Sequence, residues 1–257
     1  MNDDNLLIFL TNDDGFKSEG FDFLKKISKY ISKNIWSFAP KENQSAKSHA
    51  ITINKNINVK MINYKEYIVT GTPSDCVILG LEKLKHSLKE NMLLISGINQ
   101  GVNLGYDLLY SGTVAAAREG ALNGIKSVAI SIDNKNKLAE WSGVECYVPK
   151  ILDLYIKTKL SNNFFLNINL PNIEKKKIKG IKIVSLGDRK PGKLKKINNN
   201  YYTMPSERNI SKTAKPNEDE YELKKGYITI TIHDRTNLVV NYKDILKLKK
   251  IFRKKFE

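Results

Sequence analysis

Five consecutive apolar residues, Leu6–Leu10, stop at Thr11-Asn12-Asp13-Asp14-Gly15, and the same alternation of short apolar run and polar turn recurs along the chain. Such a run closed by turn chemistry reads as a strand buried on both faces, the kind a parallel sheet needs. From Glu19 to Lys33, apolar residues fall at Phe21, Leu24, Ile27, Tyr30 and Ile31, a helical spacing with lysines on the other face. Ile35–Phe38 predicts the next strand, closed by Pro40, and residues 51–69 alternate as a ribbon turning near Asn63–Glu66. Thr72-Pro73-Ser74-Asp75 opens a helix, with Thr72 as N-cap, Pro73 in the first position and Asp75 facing the positive helix end. Met92–Ile95, Val128–Ile132 and Phe164–Leu170 predict strands; Thr113–Leu122 and residues 138–160 predict helices. The rhythm is that of an α/β, three-layer, doubly wound and mostly parallel sheet.

The pattern changes after residue 186. Residues 187–219 are rich in Lys, Asn, Pro and Ser with little periodicity, Gly226–Ile232 alternates as a half-exposed strand, and Asp244–Phe256 predicts a closing helix. We expect a catalytic core over 1–186 and a C-terminal β/α arm, hairpin and helix over 187–257, serving oligomerisation. At 257 residues the core needs no disulfide or metal staple.

No apolar run approaches the ~20 residues of a membrane span. Leu6–Leu10 also follows Asp3-Asp4, where a secretory signal would carry positive charge. Cys76 and Cys146 have neither disulfide-framework nor metal-knuckle spacing, so the expectation is a cytoplasmic protein with reduced thiols and no membrane partner. The net charge of +16 suggests a polyanionic partner. Against this, only five of the 43 basic residues are arginine, the side chain whose planar fork reads base edges, and lysines are spread from Lys17 to Lys255 beside abundant Asn and Ile. We read a solvated surface with no specific nucleic-acid partner, whose field also helps to collect an anionic substrate.

In an open parallel sheet, ligands bind beyond the carboxyl ends of the strands. Asn12-Asp13-Asp14-Gly15 lies at such an end. Two adjacent carboxylates repel each other there, and a hard divalent cation relieves them, while a helix cap and turn is the competing explanation. Two further loops, Pro40–His49 and Ser96–Gly105, offer neutral oxygen ligands in Ser45 and Asn99. Tyr110-Ser111-Gly112-Thr113 runs from turn into helix and forms an anion site, or else a simple cap by Ser111 or Thr113. The Gly-rich segment 97–105 is neither a P-loop nor a dinucleotide fingerprint. His49, His86 and His233 lack metal-ligand spacing, no Gly-x-Ser-x-Gly elbow is present, and Cys76 reads as a buried small residue rather than a thiolate.

Five blocks in order carry a family resemblance. They are Thr11–Gly15; Ala39-Pro40 with Gln44-Ser45; Thr70-Gly71-Thr72-Pro73-Ser74-Asp75-Cys76; Ser96-Gly97-Ile98-Asn99-Gln100-Gly101 with Asn103-Leu104-Gly105; and Tyr110–Ala117 with Glu119-Gly120. Together they strongly resemble the SurE family of stationary-phase survival proteins, which are metal-dependent 5'-nucleotidases. The match is dense over residues 6–135 and fainter through Asn167–Pro171 and Gly226-Tyr227. The resemblance implies a Rossmann-like core and one divalent cation per subunit, Mg2+ or Mn2+, on Asp13, Asp14, Ser45 and Asn99. It also implies homodimers or homotetramers built partly by exchange of C-terminal elements. Departures are Gln44-Ser45-Ala46 where many members have Arg-Ser-Gly, Ser18-Glu19-Gly20 for a common Ala-Pro-Gly, Thr231-Ile232-His233 for Thr-Pro-Leu, and Glu218-Asp219 for Thr-Asp.

The expected activity is release of phosphate from nucleoside 5'-monophosphates. Asp13 and Asp14 act through the metal and its bound water, and Asn103, Ser111, Gly112 and Thr113 hold the phosphate, with the Thr113 hydroxyl facing the phosphoryl group. Attack by water is preferred to an aspartyl-phosphate on Asp13 or Asp14. An exopolyphosphatase using the same site, and a nucleotide- or RNA-binding protein without turnover, are the alternatives. A polyanion binder gains nothing from two carboxylates at the mouth of its site.

Overall fold

Strand β1 (Leu7–Thr11) is buried along its whole length, as an unbroken apolar run requires, because helices cover both faces of the sheet around it. The computed structural model describes residues 6–85, 91–134, 138–189, 194–204, 214–236 and 242–256. After β1 come α1 (Glu19–Ser28), β2 (Asn34–Pro40), the ribbon β3 (Val59–Asn63) and β4 (Glu66–Val69), and α2 (Pro73–Leu84). The middle of the chain gives β5 (Met92–Gln100), α3 (Gly112–Leu122), β6 (Lys126–Ile132), α4 (Trp141–Ile156) and β7 (Phe164–Leu170). The remainder supplies β8 (Ile181–Ile183), a small hairpin of β9 (Lys195–Lys196) and β10 (Tyr202–Thr203), α5 (Asp219–Lys224), β11 (Ile228–Asp234) and α6 (Tyr242–Phe256).

Nine strands form one sheet in the order β3-β4-β2-β1-β5-β6-β7-β11-β8. From β4 through β7 every neighbour is parallel; only β3 against β4 and β11 against β7 run antiparallel. One face packs Phe21, Leu24 and Ile27 of α1, Val144 and Val148 of α4, and Leu248 and Phe252 of α6. The other packs Val77 and Leu81 of α2 and the small Ala116 and Ala117 of α3. The fold is thus the expected α/β, mostly parallel one.

Several boundaries moved for identifiable reasons. Helix α1 ends at Ser28 rather than Lys33. Beyond it Ser32 Oγ donates to the carbonyl of Leu6 at 2.6 Å and accepts from the Asn34 N–H, turning the chain into β2. Helix α4 is shorter than residues 138–160: Glu140 caps its start, and Lys126 Nζ donates to the carbonyls of Tyr155, Ile156 and Thr158 at its end. Strand β5 does not stop at Ile95 but continues to Gln100 through a bulge. The alternating segment ending at Ile232 is not a peripheral hairpin strand: β11 sits within the main sheet, between β7 and β8. Strand β8 and helix α5 are too short to leave a periodic signal.

Candidate active site

Four loops at the carboxyl ends of β1, β2 and β5 and at the start of α3 meet around Asp13 and Asp14, and their own hydrogen bonds trace the meeting. Asp14 Oδ1 accepts from Asn43 Nδ2 of the second loop at 3.3 Å, and Asp14 Oδ2 accepts from the Gln100 N–H of the third at 3.4 Å. The Gln44 N–H donates to the Asp13 carbonyl at 2.7 Å, and Asn43 Oδ1 accepts from the Ser45 N–H at 2.8 Å. Asn99, next to Gln100, donates through Nδ2 to the Gly101 carbonyl at 2.6 Å. That bond fixes the amide orientation and leaves Asn99 Oδ1 as the free acceptor.

The local sequence explains this convergence. Asn12 Nδ2 donates to the Gly15 carbonyl at 2.9 Å and to Ser18 Oγ at 2.8 Å, bracing the carboxylate turn from inside. Gly15 has φ +96°, which lets the turn close against Glu42. In β5 one extra residue lies between Ser96 and Asn99 relative to β6, so the bulge resets which face the following side chains take. Gly20 is required by contact: a Cβ there would lie 2.0 Å from the Ile98 carbonyl oxygen of that bulge.

Electrostatics set the two carboxylates apart. Asp13 is 4% exposed, and its pKa is pushed up to about 6, first by burial and then by the charge of Asp14. Burial likewise raises Asp14 above the usual carboxylate range. Among the described residues, no lysine, arginine or histidine forms an ion pair with either of them, in a chain that carries 43 basic residues. Among the described residues, no group of three or more His, Cys, Asp or Glu is arranged to hold a metal ion. A cation here would be held by two carboxylates with neutral oxygens and water, a donor set that suits a hard divalent ion.

Two of the four residues expected at the phosphate make hydrogen bonds within the fold. The Thr113 hydroxyl and amide donate to Asp13. The cause is close packing: a Cβ on Gly112 would lie 2.8 Å from Asp13 Cβ, which brings the start of α3 onto Asp13. Asn103 donates its N–H to Asn169 Oδ1 and its Nδ2 to Ser131 Oγ, while its carbonyl accepts from Asn167 and Asn169. It belongs to a buried ladder that fixes the third loop. Ser111 caps α3 by accepting from the Val114 N–H, which leaves its own hydroxyl proton available.

Supporting contacts went unread in the sequence because they join residues distant along the chain. Asp75 completes the capping box with Thr72 and also accepts from the Thr52 N–H and Oγ1, fastening the second loop. His49 pairs with Glu119 of α3 at 2.8 Å, and Ser48 donates to the Leu109 carbonyl. Asp219 accepts from the N–H groups of Gly105 and Gly187, tying the third loop to the chain beyond β8. His233 stacks on Phe165, half-buried, with its pKa lowered to about 4 by desolvation and by Arg118; His86 lies outside the described residues. Cys76 is fully buried, and burial pushes its thiol well above the ordinary range, as a packing residue requires.

The family model described as "Survival protein SurE" matches residues 8–193. The chain is 39% identical over 260 residues to the 5'-nucleotidase SurE of Clostridium botulinum (strain Eklund 17B / Type B), covering 95% of this chain and 99% of that protein. It is 37% identical over 190 residues to the 5'-nucleotidase SurE of Paramagnetospirillum magneticum, covering 73% and 72% respectively. The crystal structure of the SurE protein from Aquifex aeolicus superposes with a TM-score of 0.80 at 30% identity, over 95% of this chain and 99% of that one.

Proposed function

The chain belongs to the survival protein SurE family, and on that premise we propose that it is a divalent-metal-dependent phosphohydrolase that releases phosphate from nucleoside 5'-monophosphates. The observation that carries this reading is the pair Asp13–Asp14, one buried and the other half-buried, with raised pKa values and without a counter-charge among the described residues. Asp13, Asp14, Ser45 and Asn99 are the residues that would hold one cation per subunit, and their all-oxygen chemistry favours Mg2+ or Mn2+. When bound, the cation supplies Lewis acidity toward phosphoryl oxygens and a lowered pKa for water.

The chain's own residues do the rest. Thr113 donates hydroxyl and amide to Asp13 and so holds that carboxylate in one orientation. Those bonds also reduce the nucleophilicity of Asp13, which supports attack by water over an aspartyl-phosphate. Ser111, with its free hydroxyl proton, and the bare backbone of Gly112 at the start of α3 would receive the phosphate. Because the transition state of phosphoryl transfer is loose, this positioning and the neutralisation of charge provide most of the rate.

Exposed apolar residues on and around the β9–β10 hairpin, among them Ile197, Tyr201 and Tyr202, support a homodimer or homotetramer built through residues 187–257. Among the described residues no helix is long and apolar enough to cross a membrane, and both cysteines are free, which fits a cytoplasmic site of action. Phosphate release from a panel of nucleoside 5'- and 3'-monophosphates and short polyphosphates, with and without EDTA, tests the reading. Hydrolysis of 5'-monophosphates that stops with EDTA is expected; hydrolysis indifferent to EDTA contradicts it.

A further inference from the structure

Away from the candidate active site, a basic depression lies beside α1. A cleft of about 630 Å3 has Ile35 and Ser37 of β2 among its lining, with α1 on one side and the β3–β4 turn, Tyr64-Lys65, on the other. No residue of the four loops around Asp13 and Asp14 lines it. Its volume falls within the ~300–1,000 Å3 usual for small-ligand pockets.

Five lysines line it: Lys25, Lys26, Lys29, Lys33 and Lys65. Lys25 is neutralised by Asp22 at 2.8 Å and Glu66 at 3.5 Å, and Lys26 by Glu145 at 2.9 Å. Lys65 Nζ donates only to the neutral Asn34 Oδ1 and stands over the Trp36 and Tyr64 rings. Among the described residues, neither Lys29 nor Lys33 nor Lys65 has a carboxylate within ion-pair distance. The cleft therefore holds three uncompensated ammonium groups.

A second observation separates this cleft from the rest of a lysine-rich surface. Ser37 is 1% exposed, and its Oγ has no hydrogen-bond partner. Strand alternation places Ser37 with Ile35 and Ala39, which pack on the α1 side, while Trp36 and Phe38 pack on the other. Its hydroxyl is thus an orphaned polar group in the lining of a basic cleft, and orphaned buried hydroxyls are costly unless something fills them.

We propose that this cleft is a second anion site that binds a ligand bearing two or three linked phosphoryl groups, with Lys29, Lys33 and Lys65 meeting the charge and Ser37 Oγ donating a hydrogen bond at its floor. Two sources share that chemistry: inorganic tripolyphosphate, and a nucleoside triphosphate whose base would stack on the 83%-exposed Tyr64. The site stands apart from the assigned catalytic residues and does not depend on the proposed nucleotidase reading.

The test is calorimetric titration of the full chain with tripolyphosphate and with ATP, in metal-free buffer at 150 mM salt (about 8 Å screening length). Saturable one-to-one binding is expected, weakened tenfold or more by Lys29→Gln with Lys33→Gln and several-fold by Ser37→Ala. Lys195→Gln with Lys196→Gln, which removes the same charge from β9, should leave it within twofold. Equal affinity for both ligands supports the inorganic source. Tighter ATP binding, with the excess abolished by Tyr64→Ala, supports the nucleotide. Mononucleotide hydrolysis by the Lys29/Lys33 variant should match the parent. Absence of saturable binding, or equal loss in the Lys195/Lys196 control, overturns the proposal.

Discussion

Among the described residues, Asp13 and Asp14 are two carboxylates with no basic side chain within ion-pair distance, whereas the cleft along α1 holds Lys29, Lys33 and Lys65 with no carboxylate within ion-pair distance. The two regions are built differently. Around the carboxylates, four loops are fastened to one another through Asn43, Gln100 and Thr113, each bonded to Asp13 or Asp14. In the cleft the lysines extend from α1, from the segment between α1 and β2, and from the β3–β4 turn, and Ile35 and Ser37 of the lining are fixed in β2 of the sheet. The comparison teaches that the +16 net charge does not mark the catalytic centre. In a basic chain, the place kept free of lysine partners is the more informative one.

Neutralising one carboxylate is the severest way to break the contrast. Asp13→Asn or Asp14→Asn should lower phosphate release by about a hundredfold or more, since charge stabilisation by a held cation is worth several kcal/mol. The melting temperature of the metal-free protein should stay level or rise, because mutual repulsion is relieved. Steady-state kinetics and a thermal melt on the same preparation check both halves; an active variant removes the cation from the account.

Thr113→Val sharpens the same side. Loss of a group that orients a metal ligand typically weakens metal affinity or activity by about 10–100-fold. With Thr113 on Asp13, the expected loss is in metal affinity, read by titrating Mn2+ into the metal-free variant. A variant with parental metal affinity and weakened nucleotide binding would return Thr113 to the phosphate.

The metal-free protein should also titrate. Asp13 has a folded pKa near 6, above the ordinary carboxylate value of 3.8, so the native state binds more protons than the unfolded chain between those values. Its contribution is favourable at low pH and is lost as pH rises through about 6, costing on the order of a few kcal/mol near neutrality. Melting curves from pH 4 to 8 should therefore show a loss that Asp13→Asn removes and that added Mg2+ or Mn2+ reverses above pH 6.

The smallest effect is local. Ala46 sits at φ +59° in the loop that carries Ser45, at the position where many family members have glycine. A left-handed alanine costs about 1–2 kcal/mol, partly offset by the greater unfolded-state entropy of glycine. Ala46→Gly should raise the melting temperature by a degree or more without changing turnover at saturating metal.

Much of this was legible in the chain, and the reasons are physical. Proline cannot continue a central strand, so Phe164–Leu170, stopped by Pro171, could be bounded to the residue, and the Thr72-Pro73-Asp75 cap is local chemistry that needs no tertiary partner. The carboxylate turn and the loops bearing Ser45 and Asn99 were visible because turn residues follow strands. What escaped depends on contacts across the fold. The β5 bulge is defined by register against β6, the Thr113–Asp13 bond by the approach of Gly112, and the role of Asp219 by residues more than thirty positions away. The alternating Ile228–Ile232 segment looked peripheral because the sequence does not reveal that β7 and β8 lie on either side of it.

The central claim is that Asp13 and Asp14 form a cation site whose purpose is phosphomonoester hydrolysis. Its most direct test is single-turnover release of phosphate from a nucleoside 5'-monophosphate by the metal-stripped protein, repeated after addition of Mg2+ or Mn2+, with Asp14→Asn in parallel. The account predicts no release without metal, restoration by the cation in the parent chain, and no restoration in Asp14→Asn. Equal release from the stripped parent, or full restoration in the variant, would contradict it.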